Sequence, residues 1–560
     1  MGLGILEDNK LEHVPGTATL EEEKLQLDES QIEATGLKCD RTGKHPIILV
    51  PQPSDDPNDP LNWPLWKRDL ILFILSLLSV IASTLSPLLA ADTFSLTFAF
   101  HHRTFTDMAL LTGYHLLGVA VAGVLIVPSA RVWGKRHLYL LGTVFLIFSS
   151  AWGGGSGLHY KSLLWARIFQ GVALAPFEAL VNASVGDLYF VHERGKRMAL
   201  SNLSLFGGAF FTPVIVGKIA HTLGWQWTFY FVAIFSGALF PIVILFVPET
   251  AYRRSEHLNI DTATILRRLN ENTGQPSQQT STIGSSHGYY GKSAGVSEIS
   301  DQPVPPATAS FRQTLLPFNG RKTDENFFKL VLRPFPLFFQ PGILWACLIQ
   351  GTLIGWTVLI GIVLAAIMFG PPLFFDEVKT GYMYTGAFIG ALVGFALAGL
   401  IADSSAKWLT KLNKGVFEPE FRLVLVIPQL ILGCTGLYGF GIVTNNIAKY
   451  HWFWPDFFFA FEVAGMVLGA VASALYVVDA HRDIAVEGFT CLMIFKNIFS
   501  FALTFRGFDW LSENGIKGPF MGIASVQVGI CMLSVLMYVF GKRNRSFFAR
   551  HDILKLLKLR

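Results

Sequence analysis

The sequence predicts an all-α membrane protein with twelve transmembrane helices in two six-helix, pseudo-symmetric halves. Three features predict it. Of the 560 residues, 51% are hydrophobic and 15% are charged, against about 25% charged in an ordinary soluble protein. The apolar residues gather in blocks of roughly the 20 residues that a helix needs to cross about 30 Å of hydrocarbon. A polar interval, 251–339, then divides these blocks into two sets of six.

Taken in order, residues 1–66 read as a disordered cytosolic tail, polar and acidic and ending in Asp59-Pro60-Leu61-Asn62-Trp63-Pro64. The tail lacks the apolar stretch of a cleaved leader, so the first span is expected to act as its own insertion signal. The first bundle, 67–250, is expected to hold spans near 70–91, 108–129, 137–155, 162–186, 199–221 and 227–247. The segment 251–339 is rich in Ser, Thr, Gln and Gly and reads as a mobile cytosolic loop. The second bundle, 340–541, is expected to hold spans near 341–369, 382–402, 421–443, 456–478, 486–505 and 520–540, with 542–560 as a cytosolic tail.

Charge placement sets the orientation. With the N-terminus inside, the inner segments carry Lys67 and Arg68, then Arg131, Lys135 and Arg136, then Arg194, Lys196 and Arg197, and in the second half Lys407, Lys411, Lys414, Arg482, Lys542, Arg543 and Arg545. The outer loops carry only scattered basic residues. This alternation is the positive-inside pattern.

Composition also excludes several classes. A formal net charge of +4 gives no nucleic-acid footprint. The five cysteines form no CxxC pair, and four lie in apolar blocks, so neither a disulfide framework nor a zinc site is expected. Gly291-Lys292-Ser293 lacks the upstream glycine, strand and helix of a phosphate loop. With no nucleophile–base pair and no cofactor loop, neither an enzyme nor a cofactor is expected.

Particular stretches carry a family resemblance. They are Pro51-Gln52-Pro53 with Asp59-Pro60-Leu61-Asn62-Trp63, Ala175-Pro176-Phe177-Glu178-Ala179-Leu180-Val181, Asp187-Leu188-Tyr189-Phe190-Val191-His192-Glu193-Arg194-Gly195, Pro248-Glu249-Thr250 and Lys496-Asn497. Through them the chain resembles the major facilitator superfamily, in particular its fungal drug:proton-antiporter-like branch and the group of the yeast histidinol and polyamine transporter. The likeness runs from about residue 48 to 545 and implies the major-facilitator fold. Arg167 with Gln170 and Gly171 is similar to the family's proton-coupling motif. The inner turn of the first half departs from the family pattern at Val127, where a glycine is usual, and at Arg131-Val132, where an Asp followed by an Arg is usual, and the fifth span has Thr212-Pro213 where a Gly-Pro pair is usual.

Ionisable groups inside spans are costly, about 3 kcal/mol each on insertion scales, and mark function by default. Arg167 and Glu178 in the fourth span are eleven residues, about three turns, apart and share a face. They are the expected proton-coupling residues. Glu178, Asn182 one turn on, Lys496 and Asn497 in the eleventh span, Gln350 in the seventh and Tyr382 at the eighth are the expected substrate-binding set. Gly134, Lys135 and Arg136 in the first inner turn, Asp403 in its counterpart and the kink at Pro213 are the expected conformational gates.

The function expected is alternating-access transport of a small organic molecule, a drug-like compound or secondary metabolite, exported in exchange for protons across the plasma membrane by a monomer in lipid. The alternatives are proton-driven uptake of an organic cation or amine, and a non-transporting membrane sensor of the same fold.

Overall fold

The structure is a computed structural model that describes residues 3–8, 10–11, 14–19, 38–40, 47–49, 51–101, 103–254 and 308–560. The Gly291-Lys292-Ser293 stretch and the most polar part of the central segment lie outside these residues. The first half holds α1 (Leu65–Ser83), α2 (Phe105–Trp133), α3 (Arg136–Gly155), α4 (Tyr160–Leu188), α5 (Val191–Leu223) and α6 (Trp225–Phe246). The second holds α7 (Pro341–Phe369), α8 (Thr385–Leu412), α9 (Pro419–Asn445), α10 (Phe453–Ala480), α11 (Ala485–Asn514) and α12 (Lys517–Arg550). The α9 stretch opens as a 3₁₀ turn, Pro419–Leu425, and contains a π segment, Leu430–Cys434.

Among the described residues, 11 helices are long and apolar enough to cross a membrane. The twelfth, α1, has 19 residues and carries Lys67, Arg68 and Asp69 near its start. It also ends earlier than the expected span, at Ser83, because Pro87 lies just beyond and cannot donate to the helical ladder. The helix α2 starts on a capping box, in which Thr104 Oγ1 accepts from the Asp107 N–H while the Asp107 carboxylate accepts from the Thr104 N–H.

The three larger clusters of buried hydrophobic residues divide along the same line as the sequence, while a small one, Phe105 and Ala109 with Ile362, joins the halves. One cluster draws only on residues between Ile71 and Val247, and two others only on residues between Leu337 and Leu554. Inside each half the equivalent helix pair meets backbone to backbone. In the first, a Cβ on Gly171 of α4 would collide with the His115 carbonyl of α2. In the second, Gly390 of α8 faces Ala460 of α10, and Gly394 faces Ala464. Small residues permit this approach, which supplies the dispersion contact that lipid cannot.

The halves meet along two helix pairs that exchange under the repeat. Phe105 of α2 packs on Phe508 of α11 with ring centroids 4.2 Å apart. Phe211 of α5 packs on Phe388 of α8 at 5.2 Å.

Three expected boundaries differ. The helix α12 runs through residue 541 to Arg550, because Lys542 and Arg545 are neutralised by buried Glu418 and Glu420 rather than freed into a tail. Part of the tail expected to be disordered is also packed there. Ala18–Thr19 pairs antiparallel with Val416–Phe417, Lys542 Nζ binds Glu7 at 2.7 Å and Thr17 Oγ1 donates to Glu418. The end of the central segment, expected to be mobile, forms the short helices Phe311–Thr314, Phe327–Leu332 and Pro334–Leu337 against the inner face.

Candidate functional site

Interhalf contacts occur at three depths. At the inner end, Arg131 of α2 sits 2.7 Å from Glu487 of α11 and 2.9 Å from Glu325 of the central segment. Arg333 joins both acids, at 2.8 Å from Glu325 and 3.5 Å from Glu487. Two guanidinium groups and two carboxylates thus tie α2, the central segment and α11 into one network.

At the outer end, Ser95 Oγ donates to Glu377 at 2.5 Å, and His221 Nδ1 of α5 lies 3.1 Å from the same carboxylate. Thr106 Oγ1 donates to Asp509 at 2.7 Å. Here Gly217 of α5 and Gly381 face each other so closely that a Cβ on either would strike the other element's backbone. Gly381 would meet the Pro213 carbonyl, so the α5 proline lies at an interhalf contact.

Midway along the helices, Lys496 of α11 forms an ion pair with Glu178 of α4, and both side chains are largely buried. Each charge has its counter-charge in the other half. Removing one partner of such a pair leaves an uncompensated buried charge, a cost of about 3–5 kcal/mol.

Arg167, one face of α4 further out, is fully buried. Its guanidinium donates to the carbonyls of Leu85 at 2.6 Å, Ser86 at 3.3 Å and Leu111 at 3.4 Å, and to Gln170 Oε1 at 2.9 Å. The Leu85 and Ser86 carbonyls, in the turn just after α1, are therefore met by this cation. Arg167 and Glu178 share a helix, as the spacing predicts, but the structure gives them different partners.

The remaining expected binding residues are held within their own halves. Asn182 donates to Asn202 Oδ1 at 2.7 Å and accepts from Ser201 at 2.9 Å, joining α4 to α5. Gln350 accepts from Ser473 Oγ at 3.1 Å, joining α7 to α10. Asn497 donates to the Met493 carbonyl of its own helix at 3.0 Å. Tyr382 is 53% exposed at the outer end of the second half, a different depth from the Glu178–Lys496 pair, because it precedes α8 rather than lying within it.

Of the expected gates, Pro213 lies at the outer interhalf contact, and Gly134, Lys135, Arg136 and Asp403 lie at the inner face. Gly134 has φ of +92°, a left-handed conformation, and the Glu249 carboxylate occupies the place a Cβ would take. Glu249 accepts from the Lys135 and Arg136 N–H groups at 2.9 and 3.0 Å. Lys135 Nζ reaches Asp187 at 2.6 Å. The buried Arg136 donates to the carbonyls of Val247, Ile244 and Leu315. In the second half Arg422 bridges Asp403 at 3.1 Å and Asp479 at 2.9 Å, while Asp403 itself is 73% exposed.

By composition alone Glu325 and Arg333 fall in a uniform polar loop. Arg131, standing where the family pattern has a different residue, was the available signal that an acid must approach that turn.

The family profile described as Major Facilitator Superfamily matches residues 70–486. The chain belongs to the Major Facilitator Superfamily. It is a transporter and not an enzyme. This facilitator is 25% identical to Protein HOL1 of Saccharomyces cerevisiae over 96% of both chains. It is 25% identical to the multidrug transporter TPO1_2 of Candida glabrata, covering 88% of this chain and 79% of that one. Its fold matches a partially occluded, inward-open structure of the xylose transporter XylE from E. coli, with a TM-score of 0.54 at 12% identity over 84% of this chain and 98% of that one.

Proposed function

We propose that this facilitator moves a small organic molecule across the plasma membrane by alternating access, driven by protons, with the Glu178–Lys496 pair as its coupling element. The observation that carries the reading is the pair itself, an acid and a base from opposite halves meeting inside the bundle. Protonating Glu178 removes its attraction for Lys496, and a charge-bearing solute competes for either partner. Both events loosen the same interhalf contact, and a proton and a solute that bias one two-state element are coupled. Arg167, held by carbonyls and Gln170, keeps a fixed positive potential on the Glu178 helix.

Export of a drug-like compound or secondary metabolite is favoured over uptake by the likeness to a multidrug transporter. The protein acts as a monomer, since each half finds its counterpart within one chain. In this reading residues 67–250 and 340–541 are the moving bundles, Gly134, Lys135, Arg136 and Asp403 hold their inner ends, and Pro213 is a flexing point of α5.

The test is flux of a panel of organic cations, anions and neutral metabolites in vesicles holding the purified protein, under a pH gradient imposed in either direction. Accumulation against the proton gradient supports export, and accumulation with it supports uptake of an amine. Solute binding without flux would establish the sensor reading instead.

A further inference from the structure

Glu462 is a second acid inside the bundle, and nothing above uses it. It lies on α10, ten residues into the helix from its outer end, and is fully buried. Its one side-chain partner among the described residues is the Thr357 hydroxyl of α7, whose Oγ1 stands 2.8 Å from one carboxyl oxygen and 3.0 Å from the other. On another side Gly436 of α9 presses on the Glu462 backbone and Cβ, leaving no room for a further side chain there.

Among the described residues no cation faces Glu462. The α7 helix contains no Asp, Glu, Lys, Arg or His. The charges of α8, namely Asp403, Lys407 and Lys411, are all near its inner end, as are Glu420 and Arg422 of α9. On α11, Lys496 is taken by Glu178. Asp456, the next acid outward on α10, accepts from the Gly386 N–H at 3.1 Å. Tyr438 of α9 pairs with Ser525 of α12.

The hydrogen inventory then decides the state of the carboxyl group. Thr357 Oγ1 also lies 2.9 Å from the Leu353 carbonyl oxygen. A threonine hydroxyl has one hydrogen, and an ionised carboxylate can only accept. If Glu462 were charged, two carboxylate oxygens and a carbonyl would share that hydrogen, and the buried charge would have no counter-ion among the described residues. If Glu462 carries a proton, its O–H donates to Thr357 Oγ1, and the Thr357 O–H donates to the Leu353 carbonyl. Every hydrogen is then placed and no charge is buried.

We propose that Glu462 holds a proton in this conformation and is a second proton-carrying group of the transport cycle, in the opposite half from Glu178. When the second half rearranges and water reaches α10, the O–H bond of Glu462 breaks, the proton passes to that water, and the carboxylate is left hydrated. Return to the buried state takes a proton back. The role in transport rests on the proton-coupled reading above, whereas the protonation itself does not.

The test pairs infrared spectroscopy with flux, using the full-length protein in vesicles. Wild type at neutral pH is expected to show the carbonyl stretch of a protonated carboxyl group, absent from Glu462→Gln, which keeps the shape of the neutral acid. Glu462→Gln is expected to retain solute exchange at equal pH and to lose accumulation driven by a pH gradient. Identical carboxyl bands in the two proteins overturn the proposal. So does full gradient-driven accumulation by Glu462→Gln when wild type is active, whereas a wild type without flux defeats the transport reading itself. Should Glu462→Gln fail to fold, Thr357→Val removes the acceptor and is expected to shift the band, and an unshifted band overturns the assignment.

Discussion

Arg131 on α2 and Glu487 on α11 lie 2.7 Å apart at the inner face, with Arg333 and Glu325 of the central segment closing the network around them. An opening toward the inside must break this contact. In a background whose five cysteines are replaced, Glu487→Gln is expected to raise labelling of Thr490→Cys by a membrane-impermeant thiol reagent supplied from the inner side. Unchanged labelling would remove the gate assignment, since Thr490 is buried beside Glu487 when the network is intact.

Arg136 donates to the carbonyls of Ile244 and Val247 at the end of α6 and to that of Leu315. Hydrogen bonds from a charged donor contribute about 1.5–3 kcal/mol each, and buried acceptors left bare add their own penalty. Arg136→Ala is therefore expected to lower the thermal midpoint sharply. Arg136→Lys is expected to recover only part of it, because an ammonium lacks the planar fork that reaches two carbonyls together. Equal midpoints for all three proteins would contradict the clamp.

The pair of Asp59, just before α1, and Arg254, just after α6, predicts a pH dependence. Burial pushes the Asp59 carboxyl up, but Arg254 at 2.6 Å and the N–H groups of Ser54 and Leu61 outweigh it and hold the group below the usual carboxylate range. The folded value is thus the lower one, so the stabilisation is present above the unfolded value of about 3.9 and is lost as pH falls through the folded value. Wild type is expected to lose stability relative to Asp59→Asn on acidification below about pH 4, measured by thermal unfolding across pH. Parallel curves would deny the pair a role.

At the inner end of the second half, Arg545 is almost wholly buried between Glu418 and Glu420, at 2.8 Å from each. Arg545→Ala strands these acids, a loss of about 3–5 kcal/mol. Deleting residues 1–19 removes the Glu7 and Thr17 contacts on the same cluster but leaves the ion pairs among Arg545, Lys542 and the two acids. The truncation is expected to lower the thermal midpoint less than Arg545→Ala does. The reverse order would show that the N-terminal contacts, not the buried pairs, stabilise this end.

Hydrophobic blocks and basic inner turns made the helices and their order legible in the sequence, because lipid imposes both. Arg167, Glu178 and Lys496 stood out for the same reason, as ionisable groups where charge is costly. Their partners were less legible. The spacing of Arg167 and Glu178 fixes a shared helix face, but only the early break of α1 at Pro87 supplies the Leu85 and Ser86 carbonyls that occupy Arg167. Tyr382 fell outside the interior because α8 begins only at Thr385. Glu325 and Arg333 are hidden because local composition carries no information about contacts with α2 and α11 more than a hundred residues away. The sequence shows Glu462 only as one more acid in an apolar stretch, and its state becomes visible with the Thr357 hydroxyl beside it.

In the proposed cycle the Glu178–Lys496 bridge couples proton movement to solute movement. Gradient-driven flux in vesicles carrying wild type, Glu178→Gln, Lys496→Met or the charge-swapped double variant tests it most directly. Both single variants are expected to fold yet lose accumulation driven by the pH gradient, with partial return in the swap. Wild-type accumulation in either single variant would contradict it.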